Sequence, residues 1–120
     1  MDRFEKTDDG YLDIHTGLIW KEKDEPGDFK YKKAMKLNSN AWRLPTIKEL
    51  LAIVDCASYQ PATRLSNIKS SLYWSSTPGA MFSDNAWSTD FSGNGDSSKY
   101  DRGNKLLVRL VRDTGVSNEI

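Results

Sequence analysis

The chain has one cysteine, Cys56, and one histidine, His15. A single cysteine excludes an internal disulfide and a multi-cysteine metal site, and a single histidine excludes a multi-histidine one. With no base near it in sequence, Cys56 reads as a small, partly buried hydrophobe at the end of a helix. Net charge is missing too. The 17 Lys and Arg balance 17 Asp and Glu, so no overall field draws the molecule to nucleic acid or to an anionic membrane. No run approaches the ~20 apolar residues of a membrane span. Met1 to Lys6 lacks an apolar signal core. The expectations are retention in the producing cell, export without a standard signal, or a leader that precedes this sequence.

Other chemistry fails on inventory. Asn94-Gly95, flanked by Gly93 and Asp96, is a turn signal and not a phosphate cradle, because no strong helix follows it. A Ser–His–Asp triad would require His15, on a hairpin turn, to meet a serine that the sequence does not place. Asp8-Asp9 reads as exposed loop before it reads as an acid–base pair. The expectation is a protein that is not an enzyme and carries no cofactor.

What is present begins with Trp42-Arg43-Leu44-Pro45-Thr46-Ile47-Lys48-Glu49-Leu50. Thr46 and Glu49 have the spacing of a capping box, and Pro45 holds the entering chain extended. Behind the box, Ile47, Leu50, Leu51 and Val54 fall at i, i+3, i+4 and i+7, which predicts an apolar helix face over Thr46 to about Asp55. With 120 residues the chain is the size of one domain, read as 1–120, and can bury an independent core. Only 38% of the residues are hydrophobic, but four Trp, five Tyr and four Phe compensate in area.

Gly10 to Ile14 and Leu18 to Lys21 predict two short strands joined by the turn His15-Thr16-Gly17. Glu22 to Asp28 is acidic loop with Pro26 and Gly27. A first helix is predicted from Phe29 to Leu37, with Tyr31, Ala34 and Met35 inward and Lys30, Lys32, Lys33 and Lys36 on a solvated face. Ala57 to Ser71 is polar and irregular. Leu72 to Ser76 reads as a buried strand. Ala86 to Phe91 alternates, with Trp87, Thr89 and Phe91 on one face. Lys105 to Arg112 is apolar on both faces and suits a central strand. The sum is an α+β fold with two helices on short antiparallel strands.

Ser76 to Asp101 is the most unusual stretch, mostly Ser, Asn, Asp, Gly and Thr. It predicts two long loops around the Trp87 strand. Aromatic residues among small polar ones suit an adaptable binding surface; the plain alternative is solvated connection around one core Trp.

These pieces add up to a resemblance. Phe4, Asp9-Gly10, Asp13 and Thr16 to Trp20, then Trp42 to Thr46 with Glu49-Leu50, then Tyr73 to Ser76, Ala86-Trp87 with Phe91 to Gly93, and Val108 to Arg112 appear in the order found in the Lcl C-terminal domain family, which the chain resembles. The resemblance implies a C-type-lectin-like fold, shared with the sulfatase-modifying (formylglycine-generating) enzymes, with long polar loops in the C-terminal half. It implies that the terminal strands pair side by side. It implies binding rather than chemistry, in proteins of cell surfaces, secretions or phage particles, some similar to adhesins for sulfated glycans and some to receptor-binding modules. The Glu-Pro-Asn motif of calcium-dependent lectins is absent, and the cysteine pair of the sulfatase-modifying enzymes cannot be made from Cys56 alone. Arg43, Arg109 and Arg112 suit fixed contacts to carboxylates or carbonyls better than ligand binding.

The leading expectation is therefore a recognition domain for a glycan or a protein surface, using the loops around residues 77–104. Trp87 or Tyr100 would be the stacking anchor, and Asp84, Asn85, Asn94, Asp96 and Arg102 the polar contacts. Asp84, Asn85 and Asp90 offer oxygens for calcium, although the ion needs six to eight that converge. The lysines of the first helix, with Arg102 and Lys105, leave room for a polyanion site. The second expectation is a structural or assembly subunit of a phage or surface complex, a homo-oligomer such as a trimer. A sulfatase-modifying enzyme is the third. Neither nucleic acid nor membrane insertion is expected.

Overall fold

The computed structural model describes residues 3–39, 41–55, 57–79 and 84–114. Cys56 lies outside them. Two antiparallel sheets and two short helices make a small α+β fold.

The first sheet is built from the ends of the chain. Strands β1 (Phe4–Lys6), β2 (Gly10–Asp13) and β3 (Leu18–Lys21) form a meander, and β7 (Val111–Asp113) closes it beside β3, in the order β1-β2-β3-β7. The predicted turn is the β2–β3 connection. There Gly17 has φ 78°, and Asp13 caps the turn by accepting from the His15 N–H and the Thr16 hydroxyl. Sequence reading missed β1, because Phe4-Glu5-Lys6 is too short and too polar to show a period.

The second sheet contains β4 (Leu72–Pro78), β5 (Asn85–Asp90) and β6 (Asp96–Asp101) in that order. Here the expected long loop after the Trp87 strand is corrected, while residues 80–83 of the expected loop before it lie outside the described residues. Asp90 pairs with Asp96 and Asn85 with Asp101, so the 91–95 stretch is a tight turn between two six-residue strands, with Gly95 at φ 79°. Strand β6 shows no apolar alternation because its residues are mostly exposed; the ladder to β5 and a Thr89–Ser97 hydroxyl pair at 3.0 Å hold it. Strand β5 is covered on both faces. Ala86 and Ser88 are buried as well as Thr89 and Phe91, while Trp87 is half-buried.

The first helix is shorter than predicted. α1 spans Tyr31–Met35, with Tyr31 and Ala34 buried and the four lysines exposed. α2 spans Ile47–Ala52 behind the predicted capping box: Thr46 accepts from the Glu49 N–H at 3.2 Å, and Glu49 accepts from the Thr46 N–H at 2.8 Å. Because the helix stops at Ala52, its inner stripe shifts. Leu50 and Ile53 are buried and Leu51 is exposed, where the longer helix had Leu51 inward.

Lys105 to Arg112 is not one regular strand. Leu106 bridges Phe29, Leu107 runs parallel to Tyr73, and only Val111 onward joins a sheet. Leu106 and Val108 to Val111 are buried nonetheless, because the segment threads between the two sheets. The Trp74 N–H donates to the Leu107 carbonyl on one side, while the Glu25 and Lys21 N–H groups donate to Val108 and Leu110 on the other. It separates two apolar clusters. One holds Trp20, Leu50, Ile53, Leu65, Tyr73, Phe91 and Val111; the other holds Tyr31, Leu44, Trp74, Ala86, Val108 and Leu110.

Candidate functional site

The seven residues named from the sequence do not share one surface. Six of them divide between the two ends of the β5–β6 hairpin, which the register sets ~17 Å apart for six-residue strands, and Trp87 sits between.

At the open end, Asp84, Asn85, Tyr100 and Arg102 are neighbours. The Arg102 N–H donates to the Asp84 carbonyl at 2.8 Å, and its Nε donates to the Asn85 carbonyl at 3.3 Å. The Arg102 guanidinium lies 5.0 Å from the centre of the Tyr31 ring. Burial raises the Tyr31 phenol above its ordinary value, while the Arg102 charge pulls the other way. Tyr100 packs against the second cluster. Tyr100 and Arg102 thus brace the entry to α1. Trp87 sits mid-strand opposite Lys99, whose ammonium lies 5.7 Å from the ring centre.

At the turn end are Asn94 and Asp96, both exposed. Gly95 between them rests on Val54, so close that a Cβ there would lie 2.5 Å from Val54 Cγ1. This contact docks the turn against the segment after α2. The result is a small cleft of about 230 Å3 lined by Ala57, Ser58, Tyr59 and Asn94. Tyr59 is 69% exposed, an unusually open large ring. Sequence reading left Tyr59 and Ser58 inside an irregular polar stretch; the available signal was an aromatic residue in a segment with no apolar period.

Asp84 and Asn85 lie at one end of β5 and Asp90 at the other, so the oxygens considered for calcium do not converge. Asp90 instead accepts from the Ser92 N–H and hydroxyl. Among the described residues no group of three or more His, Cys, Asp or Glu could hold a metal ion.

Two larger clefts were not foreseen. One of about 770 Å3 lies between residues 23–28 and 67–69, over Ile68 and Leu107. Its wall is fastened from beneath by Arg109, which donates to Asp24 and to the carbonyls of Lys21, Ser66 and Asn67. The Tyr73 hydroxyl donates to Asp24 at 2.7 Å, and burial, with the Asp24 charge adding to it, pushes that phenol well above the ordinary tyrosine value. The other cleft, about 630 Å3, is lined by Arg3, Phe4, Lys6, Tyr11, Arg64 and Ser66.

The expected structural roles of the arginines hold. Arg43 forks onto Glu49 at 2.7 and 2.8 Å, Arg109 is wholly buried among its acceptors, and Arg112 bonds Asp9.

The Lcl C-terminal domain family model matches residues 10–112, and the chain belongs to that family. No curated protein matches the sequence.

Proposed function

We propose that this is a non-enzymatic recognition domain of C-type-lectin-like fold that takes a glycan at the turn end of the β5–β6 hairpin. The observation that carries the reading is the cleft shared by the exposed Tyr59 ring with Ser58 and Asn94. An aromatic face for the apolar side of a sugar, beside the Asn94 amide and the Ser58 hydroxyl, which donates to Asp55 and keeps its lone pairs to accept, is a compact set for saccharide binding. Asp96, at the start of β6, adds an exposed acceptor. The same mix of Tyr, Ser and Asn also serves protein surfaces, and a protein is the other partner this site suits. Membership of the Lcl C-terminal family supports a surface-associated role. The buried ionisable groups fit a binding module: Asp24, Tyr73 and Arg109 all spend their polar atoms holding loops.

The test is a broad glycan array probed with the protein in calcium and in chelator, repeated with Tyr59→Ala and Asn94→Ala. Calcium-independent binding that both substitutions weaken at least tenfold supports the reading. Binding that neither touches places the ligand elsewhere. No binding on the array, together with a trimer or larger assembly in light scattering, favours the assembly role.

A further inference from the structure

We infer that the outer edge of β1 and the groove beside it receive an acidic peptide segment in extended conformation, added as a fifth strand to the first sheet. This groove shares no lining residue with the Tyr59 cleft, and the inference does not depend on that one.

Three observations converge. The first is an open edge. Among the described residues β1 pairs only with β2. The Ile14 N–H donates to the Arg3 carbonyl and the Thr7 N–H to the Gly10 carbonyl, so Arg3, Glu5 and Thr7 turn their peptide groups toward β2. Alternation leaves the N–H and C=O groups of Phe4 and Lys6 on the outer side. The second is the groove. The side chains of these same two residues line the cleft of about 630 Å3, facing Arg64 and Ser66 across it. A strand laid along β1 would place every second side chain there.

The third is charge. Arg3, Lys6 and Arg64 line the cleft with Phe4 and Tyr11, and among the described residues no carboxylate does. Each of these cations has a carboxylate partner among the described residues. Asp13, fully buried, takes Nε and Nη2 of Arg3; Asp55 takes Nε of Arg64, whose side chain remains 64% exposed; Glu22 meets Lys6 only at 3.5 Å, with both side chains about half exposed. Arg3 and Lys6 also lie 5.3 and 5.7 Å from the centres of the Phe4 and Tyr11 rings, which keeps these cations beside the apolar floor. Glutamate or aspartate at alternate positions of an added strand would meet these cations. The unpaired ladder distinguishes a peptide from other anions, because only a peptide backbone returns both donor and acceptor at the spacing of a strand.

The probe is a fluorescein-labelled decapeptide of alternating glutamate and valine, titrated with the intact protein and followed by anisotropy. Two controls accompany it: the same peptide N-methylated at alternate amides, and its lysine–valine counterpart. The expected result is saturable binding of the acidic peptide, at least tenfold weaker for the N-methylated peptide and for the Arg64→Glu protein, and none for the lysine peptide. The Arg64 side chain is 64% exposed but bonds Asp55, which also holds Ala57 and Ser58, so circular dichroism and a thermal melt check that the variant keeps the parent fold, and Arg64→Gln, which adds no charge beside Asp55, should weaken the acidic peptide in the same direction. The inference is overturned if the acidic peptide does not bind at millimolar protein. Equal binding of the N-methylated peptide overturns strand addition. Displacement of the peptide by a hundredfold lower concentration of polygalacturonate assigns the groove to an anionic glycan and overturns it as well.

Discussion

Arg109 and Asp24 meet at 2.9 Å across 85 residues of sequence, one side chain wholly buried and the other 10% exposed. The contact joins the loop after β3 to the segment that threads between the sheets. The remaining Arg109 donors fasten three carbonyls from two further places in the chain. Removing one member of such a buried pair leaves the other charge uncompensated, at a cost of about 3–5 kcal/mol. Arg109→Ala should therefore unfold the domain at a much lower urea midpoint. Arg109→Lys should recover little, because an ammonium cannot reproduce the planar fork. A midpoint for Arg109→Lys equal to that of the parent would show that the fork geometry is dispensable.

Acid sensitivity has an assigned origin. Burial alone would raise the Asp13 carboxyl, but the Arg3 guanidinium, the His15 N–H and the Thr16 hydroxyl outweigh it and hold the group below its ordinary value. Glu49 behaves alike, its burial outweighed by Arg43 and the Thr46 N–H. A carboxyl lowered in the folded state binds fewer protons there than in the unfolded chain. Its stabilisation is full above the ordinary carboxylate value of ~4 and is lost as pH falls below it. The urea midpoint should fall from pH 5 toward pH 2. The difference between the parent and Asp13→Asn should shrink over the same range. A constant difference would deny Asp13 this role.

The alkaline limb has the opposite sign. The Tyr73 phenol is raised by burial, so the folded state keeps a proton that the unfolded chain gives up above pH ~10. Stability should decline as pH rises past 10, and less steeply in Tyr73→Phe. Parallel midpoint curves for the two proteins between pH 9 and 11 would contradict this.

Much of this scaffold was legible in local spacing. The capping box, the Gly17 turn and the β2–β3 hairpin depend on neighbours within a few residues, and their signals are intact in the sequence. Strand β6 was not legible, because its partner is β5 and its faces are largely wet, so no apolar period marks it. The Lys105–Arg112 segment looked like a sheet strand because burial on both sides writes the same apolar run whether the covering is a sheet or two flanking segments. The candidate site divided for a related reason. Composition identified the hairpin residues as polar and aromatic, but only strand register shows that Asp84 and Arg102 lie at the opposite end from Asn94 and Asp96. Tyr59 came to Asn94 through the Gly95–Val54 contact, which spans more than 40 residues.

The cap itself makes a graded prediction. Thr46→Ala removes one hydrogen bond at the start of a six-residue helix and should cost about 1 kcal/mol. Glu49→Ala should cost more, since it removes the reciprocal bond and the Arg43 fork together. The two losses overlap, so the double variant should be less destabilised than the sum of the single ones. Strict additivity in denaturant melts would show that the two halves of the box act independently.

The last prediction separates scaffold from surface within the polar hairpin. Tyr100 is half-buried against the second cluster, whereas Tyr59 is exposed and Asn94 lies at the turn. Tyr100→Ala removes a ring from a packed environment and should cost roughly 2–3 kcal/mol, below the 3–5 of a fully buried aromatic because the ring keeps some contact with water. Tyr59→Ala and Asn94→Ala should stay within about 0.5 kcal/mol of the parent, as exposed substitutions do. Thermal melts of the three variants read the difference directly. If Tyr59→Ala proved as damaging as Tyr100→Ala, the exposed ring would belong to the fold, and the cleft beside Asn94 would lose its claim as a binding site.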